Sequence, residues 1–336
     1  MVKQTAIQSV ILDWLLDEEN PSVRYVTLTD LLGKSVKNVD VKKAKQAIMT
    51  TGTVPKILSK QLENGAWEDD YQFYRNKYKG TVWQLIILAN LGADSQDERI
   101  KQAAEFILKH AQHQDSGGFS VDYAKTLNGG SSAYVIPCLT GNMVWSLIKL
   151  GFLSDKRVQR AIDWLAHYSR FDDGKDTKLT GWPYDKINMC FSRHSCFMGS
   201  MKTLKALAEI PEKKRTTQIS SMIDTGVDFV LRHHVYRKSH NLSQTAKPGW
   251  TRFGFPRMYQ DDVLEILEIL LKLGVHDERM QEAIDLVKRK QQPDGTWLLD
   301  DTFNGRFQTN IEQKGKPSKW ITLKALTVLQ KWEETA

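Results

Sequence analysis

The dipeptide Leu-Gly closes an apolar stretch at Leu32-Gly33, Leu91-Gly92, Leu150-Gly151 and Leu273-Gly274, and the first three lie 59 residues apart. A further member, KTLKALAEIP ending at Pro211, falls between Gly151 and Gly274. A fixed period of this length means one supersecondary unit repeated, and a unit that cannot bury its apolar face alone must stack on its neighbours. Glycine after an apolar helical run suits the left-handed conformation that stops a helix, and proline cannot continue one. The chain therefore reads as a tandem array of helices with punctuated ends.

Each stop is followed by a short polar turn and a second helix, at 97–112, 155–169, 216–234 and 277–291. In the last of these Met280, Ile284 and Val287 form an apolar stripe, with Glu278, Glu282, Lys288 and Lys290 mostly away from it. Such amphipathic helices belong on the outside. The segment 262–274 is apolar on nearly every side, with Glu265, Glu268 and Lys272 as its main polar relief, so it must be buried on most faces. Inner helices of this kind lie near 22–33, 79–92, 139–151, 194–209, 259–274 and 318–332. Outer helices follow five of them, and an N-terminal helix over 5–17 supplies the sixth partner, closing the ring with helix 318–332. The expected fold is all-α, an (α/α)6 toroid of about six helical hairpins formed by residues 1–336 as a single domain around a central cavity. An open superhelical solenoid is the alternative, and the complementary first and last helices favour closure.

Composition agrees with a large buried interior: of 336 residues 41% are hydrophobic and 26% charged. The net charge of +7 favours an anionic partner, but the lysines are spread over helix faces with no basic tail or nucleic-acid motif, so a small anionic or hydrophobic substrate is expected and nucleic acid is not. No run of 18 apolar residues occurs, which argues against a membrane span. Acidic residues interrupt the apolar ones in the first thirty positions, so a cytoplasmic protein without a secretory signal is expected. The three cysteines, Cys138, Cys190 and Cys196, suggest buried thiols or metal ligands, not a disulfide framework.

Between each outer helix and the next inner one stand QLENGAW, QDSGGF, TGWPY, PGWTRFGF and QQPDGTW. The pattern Gln-x-x-x-Gly-x-Trp at Gln61/Gly65/Trp67 and Gln291/Gly295/Trp297 resembles the Gln-Trp motif of the squalene cyclase and protein prenyltransferase repeat superfamily. The segments FNGRFQTNIEQKGKPSKW, RHSC and GNMVW are similar to small prokaryotic prenyltransferase-like and squalene-cyclase-like proteins. The resemblance covers about residues 20–330 and implies a barrel whose cavity opens at the N-terminal ends of the inner helices. The chain departs from the superfamily in two respects. The Asp-x-Asp-Asp acid of class II terpene cyclases is missing. The zinc set of the prenyltransferases is altered, with Asn188-Met189-Cys190 where Asp-x-Cys is expected and Gln260 at the later histidine position.

If the cavity lies there, the candidates stand at inner-helix starts. Cys190 and His194 are four apart, so on a helix they share a face and are candidate zinc ligands, with Cys138, Asp185 or Asp262 as further donors. Without metal, His194 suits acid–base work and Arg193 suits an oxyanion or phosphate. Asp261, Asp262 and Tyr259 form the second catalytic candidate cluster, and Asp-Asp-x-x-Glu at 261–265 resembles the magnesium motif of class I terpene synthases. Helix capping is the plain alternative for these acids. A literal Asp-Asp-x-x-Asp at 172–176 reads as a solvated turn. Arg252, Arg257, Arg306 and Lys316 are candidate anion-binding cations, while Asn142, Trp83, Trp145 and Trp250, with Trp182, Phe253 and Trp320, are candidate cavity walls or simple packing residues.

Three readings of function follow. The first is a terpenoid cyclase-like or prenyltransferase-like enzyme acting on an isoprenoid diphosphate-like substrate, with zinc or magnesium as candidate cofactors. The second is a carbohydrate-active α/α barrel, a hydrolase or lyase on acidic glycans, with Glu68, Asp69, Asp262, His194 and Tyr259 as candidates. The third is a non-catalytic scaffold that binds a lipid or a protein.

Overall fold

The computed structural model describes residues 9–173, 179–191 and 193–335; positions 5–8 of the expected N-terminal helix, 174–176 of the acidic run and 192 lie outside them. The helices are α1 (Ser9–Leu15), α2 (Pro21–Val26, continued by a π turn at Thr27–Leu31), α3 (Val39–Ala47), α4 (Thr53–Leu58), α5 (Thr81–Asn90), α6 (Glu98–His110) and α7 (Pro137–Lys149). They continue with α8 (Lys156–Tyr168), α9 (Asn188–Phe191), α10 (Phe197–Ala208), α11 (Thr217–Arg232), α12 (Val263–Lys272), α13 (Gln281–Arg289) and α14 (Lys319–Thr335). Two small antiparallel hairpins, 123–130 and 237–245, decorate the loops.

The inner helices form a closed ring. α5 packs on α7, α7 on α10, α10 on α12, α12 on α14, and α14 on α2 and its π turn. At the last seam, between α2 and α5, Val26 and Asp30 line the same cavity as Ala89 and Asn90, and a Cβ added at Gly92 would stand 3.9 Å from Tyr25. Outside the ring α3, α6, α8, α11 and α13 pack on α2, α5, α7, α10 and α12. α1 packs on α14, and Lys319 at the start of α14 pairs with Asp17 at 2.6 Å. The fold is thus an all-α toroid, closed by its own helix contacts.

Local chemistry explains the order. Gly33, Gly92, Gly151 and Gly274, the residues of the Leu-Gly stops, all have positive φ. Outer helices α6, α8 and α11 begin at Asp97, Asp155 and Thr216, whose side chains accept a backbone N–H of the first turn. Each such cap stabilises a helix by about 1 kcal/mol. The two Gln-x-x-x-Gly-x-Trp turns share one geometry. Gln61 and Gln291 donate to the carbonyls of Gly65 and Gly295, and the indoles of Trp67 and Trp297 donate to Ile57 and Val287 at 2.9 and 2.8 Å. Thr81 and Thr322, on the next inner helix, accept from the Trp67 and Trp297 amides. Gln112, Gly117 and Phe119 repeat this with one residue more, and Thr140 accepts from Phe119.

The closest seam joins α7 and α10. A Cβ on Gly141 would stand 2.5 Å from the Lys202 backbone, so only glycine permits the approach. That approach holds Lys202 and Lys205 in the middle of the ring.

Candidate functional site

Inside the ring lies a cavity of about 180 Å³. Asn90, Lys149, Glu209 and Lys272, at the C-terminal ends of α5, α7, α10 and α12, surround its mouth, and Trp145, Phe255, Glu265 and Trp320 lie deeper. The cavity therefore opens at the end opposite to the one the sequence resemblance implies. Loops close the other end. Phe255 stacks on Trp320 with ring centroids 4.3 Å apart, Asn142 donates to the Met258 carbonyl, and Arg306 and Gln308 donate to the carbonyls of Lys77 and Lys79.

The walls combine aromatic faces with ion pairs. Lys205 lies 2.7 Å from Glu265 and 3.7 Å above the Trp145 ring. Lys324 pairs with Glu268 at 2.5 Å, and Glu209 is shared by Lys272 at 2.6 Å and Lys149 at 3.7 Å. Behind Glu265, Lys202 reaches it at 2.6 Å and Asp261 at 2.9 Å. Each of the four lining lysines thus has a carboxylate, and Asp30 adds a fourth acid to Glu209, Glu265 and Glu268, so the lining has no net charge.

These surroundings split the acids. Burial pushes Glu265 upward, but Lys202 and Lys205 outweigh it and hold the carboxyl far below its ordinary range. For Glu268 burial prevails over the pull of Lys324 and raises the carboxyl above that range. Burial also lifts Asp261, to about 7, against the pull of Lys202. The Lys205 ammonium is lowered by burial, despite Glu265.

Of the site candidates chosen from sequence, Trp145 lines this cavity, as do Glu265 and Trp320 from the wider set. His194 and Arg193 are exposed; the His194 ring meets the Ser195 carbonyl through Nδ1, and the Arg193 carbonyl accepts from Arg170. Asp262 is the N-cap of α12, accepting from the amides of Glu265 and Gly254 at 2.9 Å each, so both its oxygens serve the fold. Arg257 is buried against Asp262 and Asp301 and donates to the Asp261 carbonyl, which leaves it unavailable to a substrate anion. Arg252 and Lys316 are exposed, and Trp250 is buried against Phe197. Trp83, Tyr259 and Arg306 gather at the closed end, with Lys77, Tyr74 and Tyr78.

Neither metal reading fits the donors. Among the described residues no three His, Cys, Asp or Glu side chains are grouped to hold an ion. The expected pair is not presented together for zinc: Cys190 is half-buried, whereas the His194 ring is exposed and meets the Ser195 carbonyl through Nδ1. At the 261–265 acids, lysines occupy both Glu265 oxygens and backbone amides occupy those of Asp262.

Comparison with known proteins decides neither the fold nor the function. No family model matches the chain, and no curated protein does. Solved structures of similar outline include a type II terpene cyclase from Scytonema, 16% identical, covering 98% of this chain and 100% of that one at a TM-score of 0.42. A possible member of the GH105 family from Salmonella enterica is 13% identical, covering 94% and 82% at 0.46. A protein from Actinoplanes is 15% identical, covering 96% and 89% at 0.43. Likeness at this level decides no function, so the chemistry rests on the cavity. No described helix is long and apolar enough to cross a membrane.

Sequence reasoning passed over Lys202, Lys205, Lys324 and Glu209, and treated Glu268 only as polar relief on an inner helix. The available signal was charge at spacing three on helices otherwise apolar all round, Lys202/Lys205 and Glu265/Glu268. A buried helix keeps such charges only when a neighbouring helix compensates them.

Proposed function

We propose that the toroid is a small-molecule enzyme whose cavity takes one neutral, polyhydroxylated ring of sugar size and acts on it by acid–base chemistry at Glu268. One observation carries this reading: a lining rich in hydrogen-bonding groups and aromatic faces, in which every lysine is already matched by a carboxylate. Such a surface offers donors, acceptors and ring faces to hydroxyl groups and C–H faces alike. An isoprenoid diphosphate needs uncompensated cations and a long apolar channel. A cavity near 180 Å³ is close to the size, on the order of 150 Å³, that accommodates a single benzene ring.

The split acids supply the roles. Carboxyl groups whose surroundings push them apart in acidity divide into proton carrier and fixed anion. Glu268, raised by burial, is the carrier, and Glu265, held ionised by two lysines, is the fixed anion that keeps Lys205 over the Trp145 ring. In hydrolysis Glu268 takes a proton from water, whose oxygen forms the new C–O bond as the glycosidic C–O bond breaks, and passes that proton to the leaving oxygen. The test is reducing-sugar release from a panel of neutral disaccharides. At least one substrate should be cleaved, with a loss of roughly 10²-fold or more in Glu268→Gln; absence of cleavage across the panel, or equal rates in the variant, would contradict the assignment.

A further inference from the structure

At the closed end of the ring, away from the cavity mouth, three aromatic rings surround one point. Trp83, in the first turn of α5, lies 5.0 Å from Tyr74 and 6.2 Å from Tyr259, ring centroid to centroid, with interplanar angles of 39° and 60°. The Trp83 indole donates to the Tyr74 carbonyl at 2.8 Å, and Tyr78 packs edge-on against the indole at 4.9 Å, so the rings are held in place. The ammonium of Lys77 sits among them, 4.6 Å from the Tyr259 centroid, 5.2 Å from Tyr74 and 6.0 Å from Trp83. Among the described residues no carboxylate pairs with it, so ring faces are its counter-charge.

We propose that Tyr74, Trp83 and Tyr259 form a binding site for an organic ammonium ion and that Lys77 is its built-in occupant, displaced when the ligand arrives. Ring faces attract cations electrostatically, and an assembly of several aromatic faces is the arrangement that recognises quaternary ammonium groups. A primary ammonium is strongly hydrated, so Lys77 gives up water to enter the cage. A quaternary ammonium has no N–H to keep solvated and presents methyl groups to all three rings. Lys77 hangs from the loop between Phe73 and Gly80 on a flexible four-carbon stem, and it leaves without breaking an ion pair. Its occupancy lowers the apparent affinity by the fraction of molecules in which the cage is free. This site stands independently of the cavity chemistry, since none of its residues lines the cavity.

The experiment is a titration of the whole protein with tetramethylammonium chloride against equal concentrations of sodium chloride, read by tryptophan fluorescence and by saturation transfer to the methyl protons. Lys77→Ala should bind at least tenfold more tightly than wild type. In that background Tyr259→Leu or Tyr74→Leu should weaken binding about tenfold, and tert-butanol, uncharged and of similar shape, should bind at least tenfold more weakly than tetramethylammonium. A response in Lys77→Ala no different from sodium chloride, binding unchanged in both ring variants, or equal binding of tert-butanol would overturn the proposal.

Discussion

Lys202 places a single ammonium 2.6 Å from Glu265 and 2.9 Å from Asp261, and all three groups are buried in the centre of the ring. Two carboxylates, Asp261 just before α12 and Glu265 in its first turn, thus depend on a cation from α10. Removing one partner of a buried charge set strands the others, at about 3–5 kcal/mol. Lys202→Met should lower the unfolding free energy in urea by that order, and adding Asp261→Asn should restore part of it. Additive losses in the double variant would show that the groups are not coupled.

Asp261 makes the fold sensitive to pH. Its folded value of about 7 lies above the ordinary value of 3.8, so between those two the folded state keeps a proton that the unfolded chain has lost. The contribution of this group to stability is greatest below the lower value and falls as pH rises towards 7. Each tenfold difference in proton affinity between the folded and unfolded chain corresponds to about 1.4 kcal/mol. Urea denaturation from pH 4 to 8 should therefore show wild type losing stability relative to Asp261→Asn by a few kcal/mol at most, on the order of that figure multiplied over the interval. Parallel curves for the two proteins would contradict the assignment.

Two glycines with positive φ separate conformation from space. Gly33 has φ +61 with nothing within 4 Å of a Cβ, whereas Gly65 has φ +88 and a Cβ there would lie 2.5 Å from the Gln102 carbonyl oxygen. Gly33→Ala should destabilise by about 1–2 kcal/mol, the strain of the left-handed conformation alone. Gly65→Ala should exceed it by at least about 1 kcal/mol, since a backbone atom must also move. Equal shifts in chemical denaturation would mean that the turn adjusts freely.

Much of the fold was legible because its signals are local. The Leu-Gly stops and the contrast between apolar and amphipathic helices act within a turn or two of chain, and the ring follows once each buried face must find a neighbour. The candidate site was harder to read. The bonds that build it join Lys202 to Glu265 across 63 positions, Lys205 to Glu265 across 60 and Lys324 to Glu268 across 56. Single-helix periodicity shows that those charges are buried without showing what they meet. Residues with conspicuous chemistry at helix starts, His194, Arg193 and Asp262, drew attention instead, and they turn out to serve loops and caps.

Trp145 separates ligand contact from ring stability. It is buried beneath Lys205, so Trp145→Leu should cost about 2–4 kcal/mol in unfolding free energy through lost packing. Below its denaturation midpoint the variant should stay folded by circular dichroism and bind a cavity ligand at least tenfold more weakly. Unchanged ligand affinity in the folded variant would remove Trp145 from the site.

The central claim is that the cavity receives a neutral polyhydroxylated ring, and saturation-transfer NMR tests it most directly. Wild-type protein is mixed with a panel of neutral monosaccharides, and separately with geranyl diphosphate. The account predicts transfer to the ring protons of at least one sugar, lost in Trp145→Leu, and none to geranyl diphosphate. Transfer to the isoprenoid diphosphate with none to any sugar would contradict it.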